Sequence, residues 1–398
     1  MRPSLVHLEL LHPEDAPRDP GGAIRAVVTL DGAPVGILHR GARTVGERDM
    51  LDQALTELRD AVAIRLAASR LEAVSDGPEQ PQATIVVCTR DRADRLEGCL
   101  AALAEQRYPS YEVVVVDNAP QDDTTRRVAE HWSVRYVREP RPGLDWARNR
   151  GLAAARTPIV AFTDDDAQPE PGWLAALVRG FASPDVAVVT GLVLPAELET
   201  PAQLLFEDAY GGMGKGFAMH VHTHRSRRPV FRPEWVGAGC NMAFRRTALL
   251  EIGGFDPALD VGTATGGGGD LDVFQRLLEA GSAIAYRPDA VVRHLHRSTM
   301  AALRRQLFDN GRSYSAMLTA AFLRARGWER WRVVDRYLRW IVRWHAWRLV
   351  RGVAGREALP LRLVVAEAAG APLGPLLYWR ARRTAHRLAA GDSDPSAT

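Results

Sequence analysis

Residues 83–89, ATIVVCT, are apolar at both alternating sets of positions, and YEVVVVD (111–117) and PIVAFT (158–163) follow the same pattern. A strand that is apolar on both faces is covered on both sides, and such strands alternating with helices imply a mainly parallel sheet. The helices between them are Leu96 to Gln106, Thr124 to His131 and GLDWARNRGLAAA (143–155), with a further strand VRYVR (134–138). In an open α/β sheet, ligands bind at the carboxyl ends of the strands. The polar residues at those ends are Thr89-Arg90-Asp91-Arg92, Asp117-Asn118 and Asp164-Asp165-Asp166.

No G-x-G-x-x-G follows the first of these strands, which counts against a dinucleotide-binding dehydrogenase. Three aspartates at the end of a buried strand repel one another, and a bound divalent cation relieves that repulsion. Oxygen ligands of this kind suit Mg²⁺ or Mn²⁺ and are poor for Zn²⁺. Such ions complete their shells with phosphate oxygens, so the Asp164-x-Asp166 pair implies a diphosphate-bearing substrate.

Upstream, SLVHLEL, AIRAVVTL and PVGILHR read as strands, the last two joined by an Asp31-Gly32 hairpin turn. Thr44 and Glu47 have capping-box spacing before a long amphipathic helix through Leu51, Leu55, Leu58, Val62 and Leu66. The turn-forming run SDGPEQPQ (75–82) marks a boundary. Residues 1–78 are thus expected to form a small α+β domain, docking a partner, an acceptor or a second protomer. Glu9, Glu14 and Asp15 precede any long apolar run, so no signal peptide is expected.

With 398 residues, 46% apolar and 25% charged, the chain has material for a sizeable core, which excludes global disorder. The net charge of +3 hides an asymmetry: residues 301–387 hold eighteen arginines against five carboxylates. Within that segment WERWRVVDRYLRWIVRWHAWRLVR (328–351) is helical by period. Arg332, Arg336, Arg339 and Arg343 form one stripe, and Val333, Tyr337, Trp340, Trp344 and Trp347 the next. Arginine with interfacial tryptophan suits a helix lying in a membrane surface, here through 328–380. The alternative is a helical layer packed on the catalytic domain. No nucleic-acid-binding module is visible, and nucleic acid is not expected as a partner. Residues 301–390 are read as a basic, tryptophan-rich helical region and 391–398 as a disordered tail. Cys88, Cys99 and Cys240 form no C-x-x-C pair, which fits a reducing cytoplasm, and no run is apolar enough to span a bilayer.

Six blocks across about residues 83–300 resemble the family 2 glycosyltransferases, inverting nucleotide-sugar enzymes of the GT-A fold. They are IVVCTRDR, VVVVDNAP, RPGLDWARNRGL, PIVAFTDDDAQPEPGWL, VGAGCNMAFRR and GGFDP…GGGGDLDVFQRLLEAG, in the family's order. The resemblance implies a Rossmann-like, GT-A-type sheet with helices on both faces over 83–300. It implies that Thr89, Arg90 and Asp117 flank the base and ribose, with Arg148 and Asn149 near the diphosphate. Asp164 and Asp165 join the nucleotide-sugar contacts, and Asp166 binds Mn²⁺ or Mg²⁺ with His294 as a further ligand; His296 is the weaker choice. The acceptor-side candidates are Trp235, Gly237 and Asn241. Asp270 takes the place of the family's general base, and Gly269 stands where members usually carry Glu. Asp272 competes with Asp270 for that role. The donor would be a nucleoside-diphosphate sugar and the acceptor a glycan, a lipid-linked glycan or a small molecule. Gly269 also leaves open a protein that binds a nucleotide-sugar without turning it over.

Overall fold

The computed structural model describes residues 4–12, 23–40, 47–74, 80–224 and 235–391. Glu14, Asp15, Thr44, most of the 75–82 boundary, the RSRRP run (225–229) and the tail 392–398 lie outside them. The N-terminal sheet comprises β1 (Ser4–Glu9), β2 (Ile24–Leu30) and β3 (Ala33–Arg40). β1 and β2 are parallel, whereas β2 and β3 form a hairpin. Its turn residues Asp31 and Gly32 have φ of 53° and 71°, as a two-residue hairpin requires. The expected long helix is broken into α1 (Glu47–Glu57) and α2 (Arg59–Val74).

A nine-stranded sheet occupies the centre. Its parallel part is β4 (Ala83–Thr89), β5 (Tyr111–Asn118), β6 (Arg135–Glu139) and β7 (Ile159–Asp164). Between them run α3 (Ala93–Ala104), α4 (Thr124–His131) and α5 (Leu144–Ala154). β4 pairs in parallel with both β5 and β7, so the strand order reverses at β4. That reversal opens a crevice between the ends of β4 and β7. Leu100 and Trp173 pack on one face of the sheet, and Phe162, Phe244 and Phe274 on the other.

The sheet continues through β8 (Ala167–Pro169), α6 (Trp173–Arg179) and β9 (Val186–Pro195). Next come α7 (Pro201–Leu204), which widens into a π turn at Leu205–Tyr210, then β10 (His220–His222), β11 (Met242–Arg245) and α8 (Arg246–Glu251). Last are α9 (Gly269–Glu279) and β12 (Ala283–His294). β11 joins β7 to β9 by antiparallel pairing, and β12 lies parallel to β9 with a register shift between Arg287 and Val291.

Asn241 fills the gap that this shift leaves. Its Nδ2 donates to the carbonyls of Leu192 (2.9 Å) and Ala290 (2.8 Å), and its Oδ1 accepts from Trp173 Nε1 (2.8 Å). Asn241→Leu strands those three buried groups, with an expected loss of about 3 kcal/mol or more. Urea unfolding of the purified variant measures it.

The C-terminal helices are α10 (Met300–Arg324), α11 (Trp328–Trp340), α12 (Trp347–Val353), α13 (Leu361–Gly370) and α14 (Gly374–Ala390). A second π turn, Ile341–Ala346, interrupts the single helix expected over 328–351. α10 crosses α13 so closely that a Cβ on Gly311 would lie 2.0 Å from the Glu367 carbonyl. Tyr314 and Met317 of α10 pack against Ala258 and Leu259, which seats this helical layer on the central body. On the other side Val27 of the N-terminal sheet packs with Leu192, Leu194 and Tyr286. Arg25 reaches Asp208 and Glu207, the latter at 3.3 Å, in the first π turn.

Candidate active site

The crevice at the reversal of strand order collects the acidic residues. Thr89, at the end of β4, donates its hydroxyl to Asp165 Oδ2 at 2.7 Å, and Arg92 lies 3.3 Å from Asp165 Oδ1. Burial pushes the Asp165 carboxyl up to about 6. Both Asp165 oxygens thus face protein partners, Thr89 and Arg92. Asp117 is fully buried, and its Oδ2 accepts from Tyr136 at 2.9 Å. Its Oδ1 has no hydrogen-bond partner among the described residues, so an acceptor atom stands ready at the strand end. Arg90 is half-exposed beside Asp91.

A second group forms where α5 meets α9. No side chain of its own N-cap residue caps α5; Asp260 does so from afar, accepting from the Asp145 amide at 2.7 Å. Arg148 Nη1 donates to Asp145 Oδ1 at 3.1 Å, and its Nη2 lies 3.8 Å from Asp164 Oδ1. Burial raises the Asp145 carboxyl well above its usual range and Asp260 to about 7. Burial works against the Arg148 charge, but Asp145, Asp164 and Asp270 outweigh it and keep the guanidinium protonated. Asn149 is turned away. Its amide donates to and accepts from the Phe255 backbone, both at 2.8 Å, and so clamps that loop.

α9 begins in the Gly-rich run. Asp270 is half-buried, accepts from the Leu271 amide at 2.9 Å, and forms no ion pair among the described residues. Gly239 brings the wall close to it: a Cβ there would lie 2.8 Å from Arg148 Nη2 and 3.0 Å from Asp270 Oδ2. Asp272 points the other way, fully buried between Arg276 (2.7 Å) and Arg324 (2.5 Å), which makes it an anchor. The space beside Gly269 is also taken. A Cβ there would fall 1.8 Å from Asp145 Oδ2, an oxygen with no hydrogen-bond partner among the described residues. A carboxylate from α5 thus occupies the room that a side chain at position 269 would need.

Asp164, Cys240 and His294 present possible ligand atoms within 4.8 Å of one another. His294 Nε2 also lies 3.2 Å from Asp166 Oδ1. Burial would raise Asp166, but the hydrogen bond and charge of His294, with Arg297 and Arg92, hold it well below the usual carboxylate range. Two carboxylates and an imidazole fit a hard divalent cation. Cys240 does not, because soft sulfur is a poor ligand for a hard cation. His296 instead lies 3.2 Å from Glu207. His220 and His222 stand on the edge strand β10 and belong to no metal-capable cluster among the described residues.

On the acceptor side, Trp235 is 43% exposed and lines a cavity of about 800 Å³ that Leu271, next to Asp270, also borders. Gly237 and Asn241 line no part of it: Gly237 is packed against Thr190 and Asn241 holds the sheet. Sequence reasoning missed Asp145 and Asp260, which face each other across more than a hundred residues of chain. It also missed Gly239, although this glycine lies inside the quoted VGAGCNMAFRR block.

The model of the family described as Glycosyl transferase family 2 matches residues 84–253. The pre-mycofactocin glycosyltransferase of Mycobacterium tuberculosis is 30% identical over 285 residues, 68% of this chain and 55% of that protein. The chain therefore spans about half the length of this relative. The glucosyl-dolichyl phosphate glucuronosyltransferase of Haloferax volcanii is 27% identical over 229 residues, 53% of this chain and 68% of that one. A solved mannosyltransferase from Pyrobaculum calidifontis, in complex with GDP-Man and Mn²⁺, aligns over 86% of this chain and 87% of its own, with 20% identity and a TM-score of 0.47. Residues 84–253, from β4 through the acidic triplet to the turn after α8, thus form a glycosyl transferase family 2 domain.

Proposed function

We propose that the protein moves a sugar from a nucleoside-diphosphate donor to an acceptor hydroxyl with inversion at the anomeric carbon. The observation that carries this reading is the meeting of Asp164, Arg148 and Asp270 at the crevice, with Asp270 free of ion pairs among the described residues. The acceptor hydroxyl gives its proton to Asp270 Oδ2 as its oxygen bonds to the anomeric carbon. The opposite bond, from that carbon to the leaving phosphate oxygen, breaks in line, and Arg148 stabilises the charge that develops there. Thr89, Arg90 and Asp117 would hold the nucleoside, with Asp117 Oδ1 accepting from the base or ribose.

Asp164, Asp166 and His294 would hold Mn²⁺ or Mg²⁺, which offsets charge on the departing diphosphate. The non-catalytic alternative had Gly269 as its support; the Asp145 carboxyl that fills the space beside it supports the catalytic reading. The test is a panel of nucleotide-sugars incubated with the full chain and Mn²⁺, with released nucleoside diphosphate measured. Release from one donor, abolished by EDTA, is expected; binding without release from any donor would overturn the reading.

No helix among the described residues is long and apolar enough to cross a membrane. We place the protein in the cytoplasm, with 328–380 against the inner face of the plasma membrane. Exposed Trp328 (73%), Trp331 (65%) and Trp347 (60%) support that contact. Co-sedimentation with phosphatidylglycerol vesicles, absent with phosphatidylcholine and lost in Trp328→Ala/Trp331→Ala, is the expected result.

A further inference from the structure

The arginine stripe of α11 does not lie idle on the surface. Arg332, Arg336, Arg339, Arg343 and Lys215 all line the 800 Å³ cavity. Five cations and two carboxylates, Asp335 and Glu367, thus line it, and Arg332 is also paired with Glu329 at 3.0 Å. Glu367 is already engaged, accepting from Tyr210 (2.9 Å), Trp344 (2.8 Å) and Arg348 (3.1 Å). Asp335 pairs with Arg339 at 2.8 Å. Arg343 forms no ion pair among the described residues. Apolar surface comes from Trp235, Trp340 and Trp344, and from Leu271 and Ala238, the chain neighbours of Asp270 and Gly239. Thr89, Asp117 and Asp164 line none of it, so it is separate from the donor crevice.

Guanidinium forks crowded on one wall repel each other, and a carboxylate or phosphate bound bidentately relieves that repulsion. Tryptophans beside them take an apolar or sugar-like body. We infer that this cavity receives the acceptor and that the acceptor is an anion, a phosphate or carboxylate held by Arg336, Arg339 and Arg343 while its hydroxyl faces Asp270. The inference rests on the transferase reading and names the acceptor's class.

The test uses the full chain and measures tryptophan fluorescence on titration with glucose 6-phosphate, glucuronic acid or farnesyl phosphate, against glucose and farnesol. At least one anion is expected to bind about tenfold or more tightly than its uncharged counterpart, with an affinity that falls as salt rises. Arg339→Ala/Arg343→Ala, two exposed positions, is expected to weaken that anion about tenfold and leave the uncharged probes unchanged. Preference for farnesyl phosphate identifies a lipid-linked source; preference for either sugar acid identifies a soluble one. Equal binding of charged and uncharged probes, no binding of any anion, or an unchanged affinity in the double variant would overturn the inference. UDP and GDP binding with Mn²⁺ is measured in parallel. Its failure in the unaltered protein would count against the donor reading, whereas its survival in the double variant with anion binding lost separates the two sites.

Discussion

Asp270→Asn is expected to lower turnover by about 10²–10⁴-fold, the usual range for removing a general base. Asparagine has the size of aspartate and can still accept from the Leu271 amide, so the start of α9 keeps its shape. What it loses is the capacity to take a proton. Because Asp270 forms no ion pair among the described residues and buried Arg148 keeps Asp145 and Asp164 beside it, nucleoside-diphosphate affinity should stay within about twofold. Asp272→Asn is the informative contrast. That carboxylate is buried against Arg276 and Arg324, and removing it is expected to cost about 3 kcal/mol of stability. Retained turnover in Asp270→Asn, or activity lost in Asp272→Asn without any loss of stability, would reverse the assignment.

Filling position 269 should have a comparable effect by a different route. Gly269→Glu drives its Cβ to within 1.8 Å of the present place of Asp145 Oδ2, and Asp145 is the residue that orients Arg148. Overpacking of this kind destabilises by about 1–3 kcal/mol. Displacing Arg148 should further reduce turnover by about 10²-fold, as a misplaced charge contact does. The decisive measurement is the double variant Gly269→Glu/Asp145→Ala, which vacates the space and restores one carboxylate. Strong non-additivity, with the double more active than Gly269→Glu alone, is expected from groups that share one volume. A double variant no better than the single would show that the two positions do not exchange.

Much of the sheet was legible because burial on both faces leaves a pattern in consecutive residues: Ile85, Val86 and Val87 are all fully buried, with no polar position alternating among them. The acidic triplet was legible for a similar local reason, since three aspartates at a strand end are chemically conspicuous. Roles set by distant partners were not. Asn149 and Asn241 sit inside recognisable blocks, yet the Phe255 backbone and the Ala290 carbonyl that occupy their amides lie far along the chain. The exchange between Gly269 and Asp145 is hidden in the same way. The arginine spacing of α11 was visible, but a stripe on a helix does not say what it faces, and the cavity is built by residues from 206 to 367.

The pairing of Arg25 with Glu207 and Asp208 bears on how this protein can be cut or recombined. These carboxylates belong to the π turn that carries Phe206 and Tyr210 into the cavity wall. A shortened protein beginning at residue 80 would keep every residue of the donor crevice and still take the Arg25 guanidinium from Glu207 and Asp208, beside the place where the other substrate is proposed to enter. Grafting the amino-terminal sheet of a relative would require a guanidinium at the position of Arg25. The boundary of the small sheet is therefore a poor place for a molecular seam.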